Sequence, residues 1–312
     1  MRSNESTVIV CTYNRSTLLA ITLDALLQQQ NARPFLLLVV DNGSTDNTSD
    51  IVLTAARAAP LDVELRYITE ARSGLARARN TGLDHAEGEF VVFLDDDAEP
   101  CCEWLSSYSE MFRNIPQAGI IGGRVLPRFE ITPPAWIHQE TFFNFLSLLD
   151  AGEESGPMPA KCFPIGANFA VRRSLLNGIR FRADLGRSGK NLLSNEEIEF
   201  NRAIVARGAR VFYSAEASVK HYVPRERLTQ RWILRRGYYQ GISDIVAGQK
   251  RAKWSTAIWE SLRTGPTIIF AALFIWNKQR RISSWTRSAY RWGVARASWF
   301  QLCAGGPHGP TS

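Results

Sequence analysis

Three adjacent carboxylates, Asp95-Asp96-Asp97, follow directly on the apolar run Val91-Val92-Phe93-Leu94. Like charges at consecutive positions repel, so such a triplet needs a compensator. In an open turn, water suffices. At the ligand end of a sheet, a hard divalent cation does the same work, and Mg²⁺ or Mn²⁺ takes one or two carboxylates together with substrate phosphates. Asp95 and Asp97, alternating along the chain, can reach one ligand complex from the same edge. A second acid, Asp41, closes the run Phe35–Val40 and opens Asn-Gly-Ser-Thr-Asp. Ser44 and Asp46 suit turn and capping roles, while a carboxylate just before the turn can accept from a nucleobase imide.

Arg72-Ser73-Gly74-Leu75-Ala76-Arg77-Ala78-Arg79-Asn80 places three arginines and a glycine at a helix start, where phosphate is at home. Arg72 and Asn80 are the stronger candidates there, against a solvated basic helix face. In Ser194-Asn195-Glu196-Glu197-Ile198-Glu199 the acids complement a helix dipole, or one of them is a general base for an attacking hydroxyl. His221, in Val-Lys-His-Tyr-Val, is by itself more typical of packing than of ligation.

The surrounding elements place these residues. Strands are expected at Thr7–Cys11, Phe35–Val40, Val63–Ile68 and Phe90–Leu94, with helices at Leu18–Gln30, after Ser44-Thr45-Asp46, and at Leu75–His85. Strand and helix alternating at this spacing predict a mostly parallel sheet covered by helices, with ligands at the carboxyl ends of the strands. The first strand then ends in Thr12-Tyr13-Asn14-Arg15, the second at Asp41, the fourth in the acid triplet. Residues 125–195 are rich in proline and read as loops with a short strand near Asn168–Val171. Glu196–Arg207 reads as a helix, and Val211–Tyr213 and Val219–His221 as two short strands.

With 312 residues, 45% of them hydrophobic and 21% charged, the chain can form one large α/β domain plus an appendage and is not disordered. Its net charge of +7 suits an anionic partner without choosing one. Five cysteines without a CxxC pair argue against zinc and for reduced thiols, and the N-terminus does not read as a signal peptide. From about Leu228 the chain is rich in Trp and Arg. Its apolar run Thr267–Trp276 has ten residues, against about 20 for a spanning helix. An interfacial or re-entrant helix, with Lys278, Arg280 and Arg281 near anionic headgroups, stands beside plain packing on the domain.

In order and spacing, Thr12-Tyr13-Asn14-Arg15, Val39–Asp46, Gly74–Gly82 and Phe93–Asp97 together resemble glycosyltransferase family 2, the inverting enzymes of GT-A fold, from about Thr7 to Gly241. The resemblance implies a Rossmann-like, mostly parallel central sheet flanked by helices, to which the Trp- and Arg-rich composition adds a C-terminal helical extension, either membrane-associated or packed on the domain. Residues 1–225 would be catalytic (1–125 binding the nucleotide-sugar, 126–225 on the acceptor side) and 226–312 the extension. It implies a nucleoside-diphosphate sugar donor, usually with uracil, and Mn²⁺ or Mg²⁺.

Thr12, Tyr13 and Asp41 would hold the base, with Asn14, Arg15 and Asp96 in the same donor site. Arg72 and Asn80 would lie near the nucleotide, Asp95 near the ribose and the metal, Asp97 on the metal, and His221 on metal or diphosphate. Glu197 stands where the family places its base, with Glu196 beside it; the family commonly has Glu-Asp there. Gln230-Arg231-Trp232 departs from the spacing of the processive members' motif, which implies transfer of a single sugar. A saccharide or lipid-linked acceptor at the inner face of the plasma membrane is expected, and nucleic acid is not. A nucleotidyltransferase and a non-catalytic membrane scaffold remain the alternatives.

Overall fold

The computed structural model describes residues 4–138, 140–159, 162–187, 191–273 and 278–303. The chain divides into two compact units. The first comprises Met1–Arg128, Ser147–Ala183 and Glu197–Val223, and the second Phe129–Leu146, Asp184–Glu196 and Pro224–Ser312. The sequence suggested one division at 225; here two earlier segments also belong to the second unit.

The first unit is built on a sheet of strands β1 (Ser6–Thr12), β2 (Phe35–Asp41), β3 (Val63–Thr69), β4 (Phe90–Asp95), β5 (Ala98–Pro100), β6 (Ala118–Phe129), β7 (Gly156–Pro157), β8 (Asn168–Arg172) and β9 (Arg210–Val223). Their order is β3-β2-β1-β4-β8-β6-β9-β5, with β7 also on β9. The first four strands are parallel neighbours. Every residue of β2 is buried, as an unbroken apolar run must be when helices cover both faces. At β4 the direction changes: β8 is antiparallel to both β4 and β6.

Helices α1 (Ser16–Leu27), α2 (Thr48–Ala58), α3 (Leu75–Asp84) and α4 (Trp104–Asn114) follow in order. In α1, Leu19, Thr22, Leu23 and Leu26 are buried, one stripe at helical spacing. Helix α4 and strand β6 escaped the sequence reading. Serines alternate with the apolar positions of α4, and Gly122, Gly123 and Pro127 dilute the strand signal of β6. The two short strands expected near 211 and 219 are one strand, β9. Ser214 and Glu216 interrupt its apolar pattern, yet the Ser214 hydroxyl is buried in use, accepting from Ala217 N at 3.1 Å.

The second unit contains α5 (Glu140–Phe143), the first residue of α6 (Glu196–Val205), then α7 (Gln230–Val246), α8 (Trp254–Leu273) and α9 (Lys278–Cys303). Thr229 caps α7 by accepting from Trp232 N. The apolar run expected from Thr267 forms the end of α8 as far as Leu273; the rest of it lies outside the described residues. Among the described residues no helix is long and apolar enough to cross a membrane.

Helices α7 and α9 meet at backbone contact. A Cβ on Gly241 would collide with the carbonyl oxygen of Tyr290, and one on Gly293 with that of Tyr238. Ile245, Val294 and Ala297 fill the space beside this crossing. Gly241→Val or Gly293→Val is therefore expected to cost about 1–3 kcal/mol through overpacking. Urea unfolding checks this, with exposed Ser255→Ala on α8 expected to change little.

Candidate functional site

Three elements fix the backbone of the acid triplet. The Thr22 hydroxyl of α1 donates to the carbonyls of Asp96 (3.0 Å) and Ala98 (3.1 Å). Tyr222 N of β9 donates to Asp97 O at 2.8 Å, and Asp95 N donates to Ala167 O at 3.2 Å. The β5–β9 register sets His221 opposite Ala98. The imidazole accordingly arrives at the triplet, its Nε2 3.2 Å from Asp97 Oδ1.

Each carboxylate has a cation at hand. Arg15 Nη1 lies 2.9 Å from Asp96 Oδ1 and 2.8 Å from Asp97 Oδ2. Arg79, almost wholly buried, reaches Asp95 Oδ1 at 3.2 Å and the Gly166 carbonyl at 3.0 Å. Burial pushes the Asp96 carboxyl up to about 6 against the pull of the Arg15 guanidinium. Asp95 remains partly open to solvent, whereas Asp97 and His221 are buried.

The donor set fits a divalent cation. Asp95, Asp97 and His221 each offer one ligand atom, all within 4.8 Å of one another. The second ring nitrogen of buried His221, Nδ1, has no hydrogen-bond partner. Two carboxylates favour Mg²⁺ or Mn²⁺, and the imidazole is compatible with the softer of these. Cys11, beside Asp95 in the sheet register, adds no thiolate, since burial pushes its thiol up to about 12.

The other predicted residues fall into two groups. Thr12 is buried at the end of β1, and the Tyr13 ring stands 56% exposed beyond it. Asp41 accepts from Ser44 N (2.8 Å) and from the Tyr67 hydroxyl (2.5 Å), so it shapes its own turn. Asn14, at φ 51°, joins the loops after β1 and β2: its N–H donates to Ser44 Oγ and its Oδ1 accepts from Thr45 N. Asp46 accepts from Ser16 N and from Thr48.

Asn80 does not point into this cluster. Its amide is taken up at both ends by the backbone of Phe181, at 2.9 and 2.8 Å. Arg72 is exposed and forks onto Glu70 through Nε (3.0 Å) and Nη2 (2.8 Å). Of the arginines from Arg72 to Arg79, the one that reaches the triplet is Arg79, which sequence reasoning ranked behind both. Ala76, Arg79, Gly82 and Leu83 form the buried stripe of α3, and that spacing was the available signal.

Glu197 lies in the first turn of α6, partly buried, next to buried Glu196. One turn further on, Phe200 stacks on Phe181 (4.0 Å) and meets Phe93 and Phe169 edge-on. Phe93 is two residues before Asp95, so one aromatic cluster seats both the acid strand and the helix that carries Glu197. Behind β4, wholly buried Asn168 makes four hydrogen bonds. Its Oδ1 accepts from Trp104 Nε1 (2.8 Å) and Tyr108 Oη (2.7 Å), and its Nδ2 donates to Arg124 O (3.1 Å) and Ala217 O (2.8 Å).

The family model described as glycosyl transferase family 2 matches residues 7–180. Over 260 residues the chain is 29% identical to the succinoglycan biosynthesis protein ExoM of Rhizobium meliloti, covering 80% of this chain and 78% of that protein. It is 25% identical to a glucosyl-dolichyl phosphate glucuronosyltransferase of Haloferax volcanii, covering 77% and 76%. In fold it is similar to a mannosyltransferase from Pyrobaculum calidifontis solved with GDP-Man and Mn²⁺, with a TM-score of 0.57, 22% identity, and coverage of 98% of this chain and 79% of that one. It is also similar to S. aureus TarS 1–349 solved with UDP-GlcNAc, with a TM-score of 0.55, 18% identity, and coverage of 97% and 93%.

Two consequences can be measured. Asn168→Leu strands two donors and two acceptors in the core, at about 1–3 kcal/mol each if unrelieved, so thermal unfolding should show a loss of about 3 kcal/mol or more. The Glu70 carboxyl is held down to about 2 by hydrogen bonds from Arg72 and Thr81, against an ordinary 4.5. Its contribution is thus complete above pH 4.5 and fades as the pH falls towards 2. The stability gap between wild type and Glu70→Gln should narrow across that window.

Proposed function

The chain belongs to glycosyl transferase family 2 and is a glycosyltransferase, and from that premise we propose an inverting enzyme that moves one sugar from a UDP-linked donor to a hydroxyl of a saccharide or lipid-linked acceptor. The observation that carries this reading is the gathering of Asp95, Asp97 and His221, with Arg15 and Arg79 around the triplet.

Tyr13 offers an exposed ring for the base to stack on, and Asp41, level with Thr12 in the β1–β2 register, offers a carboxylate to the base. Asp95, Asp97 and His221 would hold Mn²⁺ or Mg²⁺, which supplies positive charge to a departing diphosphate. Arg15 brings a second positive group to the same end of the sheet and keeps Asp96 and Asp97 together.

Glu197 accepts the proton of the acceptor hydroxyl as that oxygen bonds the anomeric carbon and the sugar–phosphate bond breaks. One displacement from the opposite face inverts the anomeric centre. The relatives support the reading: one structure holds GDP-Man with Mn²⁺, another UDP-GlcNAc, and one relative takes part in succinoglycan biosynthesis. The departure of the 230–232 segment from the processive motif favours single transfers. We place the enzyme in the cytoplasm, peripheral at the inner face of the plasma membrane.

Calorimetry with UDP and GDP, in Mn²⁺, in Mg²⁺ and in chelator, tests the donor site. UDP binding that disappears with chelator is expected; folded protein that binds neither nucleotide with metal present overturns the reading. In a transfer assay Asp97→Asn should lose at least about a hundredfold in kcat. Glu197→Gln should lose about 10²–10⁴-fold, the range of a removed general base, while UDP affinity stays within about twofold. Full turnover by either variant removes that residue from its role.

A further inference from the structure

We propose that the outward face of the α8–α9 pair docks on an anionic bilayer surface, its tryptophans at headgroup level and its cations on lipid phosphates. This rests on the membrane placement just given and supplies the surface and the lipid chemistry behind it.

Helix α8 exposes Trp254, Ile258, Trp259 and Leu262, each about half or more open to solvent. Their spacing of four, five and eight residues is a single helical stripe. Helix α9 exposes Trp292, Trp299 and Phe300. The two helices run antiparallel. The Trp254 and Trp299 rings meet edge-on at 5.1 Å, and further along Arg291 reaches Glu260 at 3.7 Å and the Arg263 carbonyl at 3.2 Å.

Packing does not require this face, because the pair already has an inner one. Ala257, Ile282, Val294 and Ala295 are completely buried. Large apolar side chains gathered on an outer surface mark an interaction site.

The charge identifies the occupant. From Lys250 to Cys303 there are ten lysines and arginines and one acid, Glu260, and that acid is paired with Lys250 and Arg291. Arg251, Lys253 and Arg263 are exposed, and the Arg263 guanidinium lies over the Trp259 ring at 5.7 Å. The polar side-chain groups among these aromatics and cations are donors, indole N–H, ammonium and guanidinium. A partner made of acceptors above an apolar layer answers all of them. Phosphate esters over acyl chains are such a partner, and Trp with Lys or Arg is the composition of helices that lie in the headgroup plane. RNA offers the phosphates but no bed for Ile258, Leu262 and Phe300.

The test is flotation of the full chain with phosphatidylcholine vesicles and with vesicles containing phosphatidylglycerol, with nucleotide calorimetry on the same preparations. Binding at least about tenfold tighter to the anionic vesicles and weakened by salt is expected, since each cation near such a surface adds to the attraction. Trp259→Ser with Leu262→Ser, and separately Arg251→Glu with Lys253→Glu, should each cost about tenfold in vesicle affinity and leave nucleotide binding unchanged. The proposal is overturned if wild type binds nucleotide but neither vesicle, or if both double variants float like wild type. It is equally overturned if the Ser double variant abolishes a self-associated species, or RNA binding, in a chain that ignores vesicles. Vesicle binding without nucleotide binding would instead sink the donor-site reading and leave the docking face standing.

Discussion

Three carboxylates at consecutive positions on the end of a buried strand would be untenable without positive charge, and much of the first unit is arranged to supply it. Arg15 comes from the loop after β1 and Arg79 from the buried stripe of α3, while β9 brings the His221 imidazole against Asp97. Three separate stretches of chain therefore converge on one electrostatic problem. Each contribution is specific to an oxygen: Arg15 spans Asp96 and Asp97, Arg79 takes Asp95, and His221 takes the far oxygen of Asp97. These partners also tie the surrounding elements together, because moving β1, α3 or β9 would strip a carboxylate of the triplet of one of its contacts.

The parallel half of the fold was legible because local and global signals agreed there. Unbroken apolar runs such as Phe35–Val40 can hardly be anything but strands covered on both faces, and the glycine and Asx turns after them mark where each run ends. The four parallel strands begin and end within a residue or two of their expected limits. The acid triplet was legible for the same reason, since its chemistry sits at the end of an unmistakable strand. The antiparallel half was not. Strands β6 and β9 carry glycines, a proline and buried polar groups whose partners come from remote segments, and a periodicity argument cannot see hydrogen bonds that only the tertiary structure makes. Asn80 and Arg79 show the same limit at the scale of one side chain. Adjacent on one helix, they differ in which backbone lies opposite, and Phe181 is a hundred residues away.

The second unit obeys different physics. Its α7–α9 crossing is governed by the absence of side chains at Gly241 and Gly293, where main chain meets main chain. Close approach of this kind brings many atoms into dispersion contact without a large apolar core. Bulky aromatics such as Trp259, Trp292 and Phe300 then stand on its outer surface. Membership of a transferase family sets aside the nucleotidyltransferase alternative.

Strand β9 has a further consequence, for the order in which the molecule comes into being. Asp95 and Asp97 are made early and can pair into the β1–β4 half using neighbouring segments, whereas His221 arrives only with the last strand of the sheet. Closing that distance carries the loop entropy of the whole intervening chain. A polypeptide emerging from the ribosome must therefore carry its acid triplet without the imidazole until translation has nearly reached Pro224, where the C-terminal helical segment begins. The complete Asp95–Asp97–His221 cluster is a late event in synthesis, and a chain cut short before Val219 would own the carboxylates and lack the imidazole.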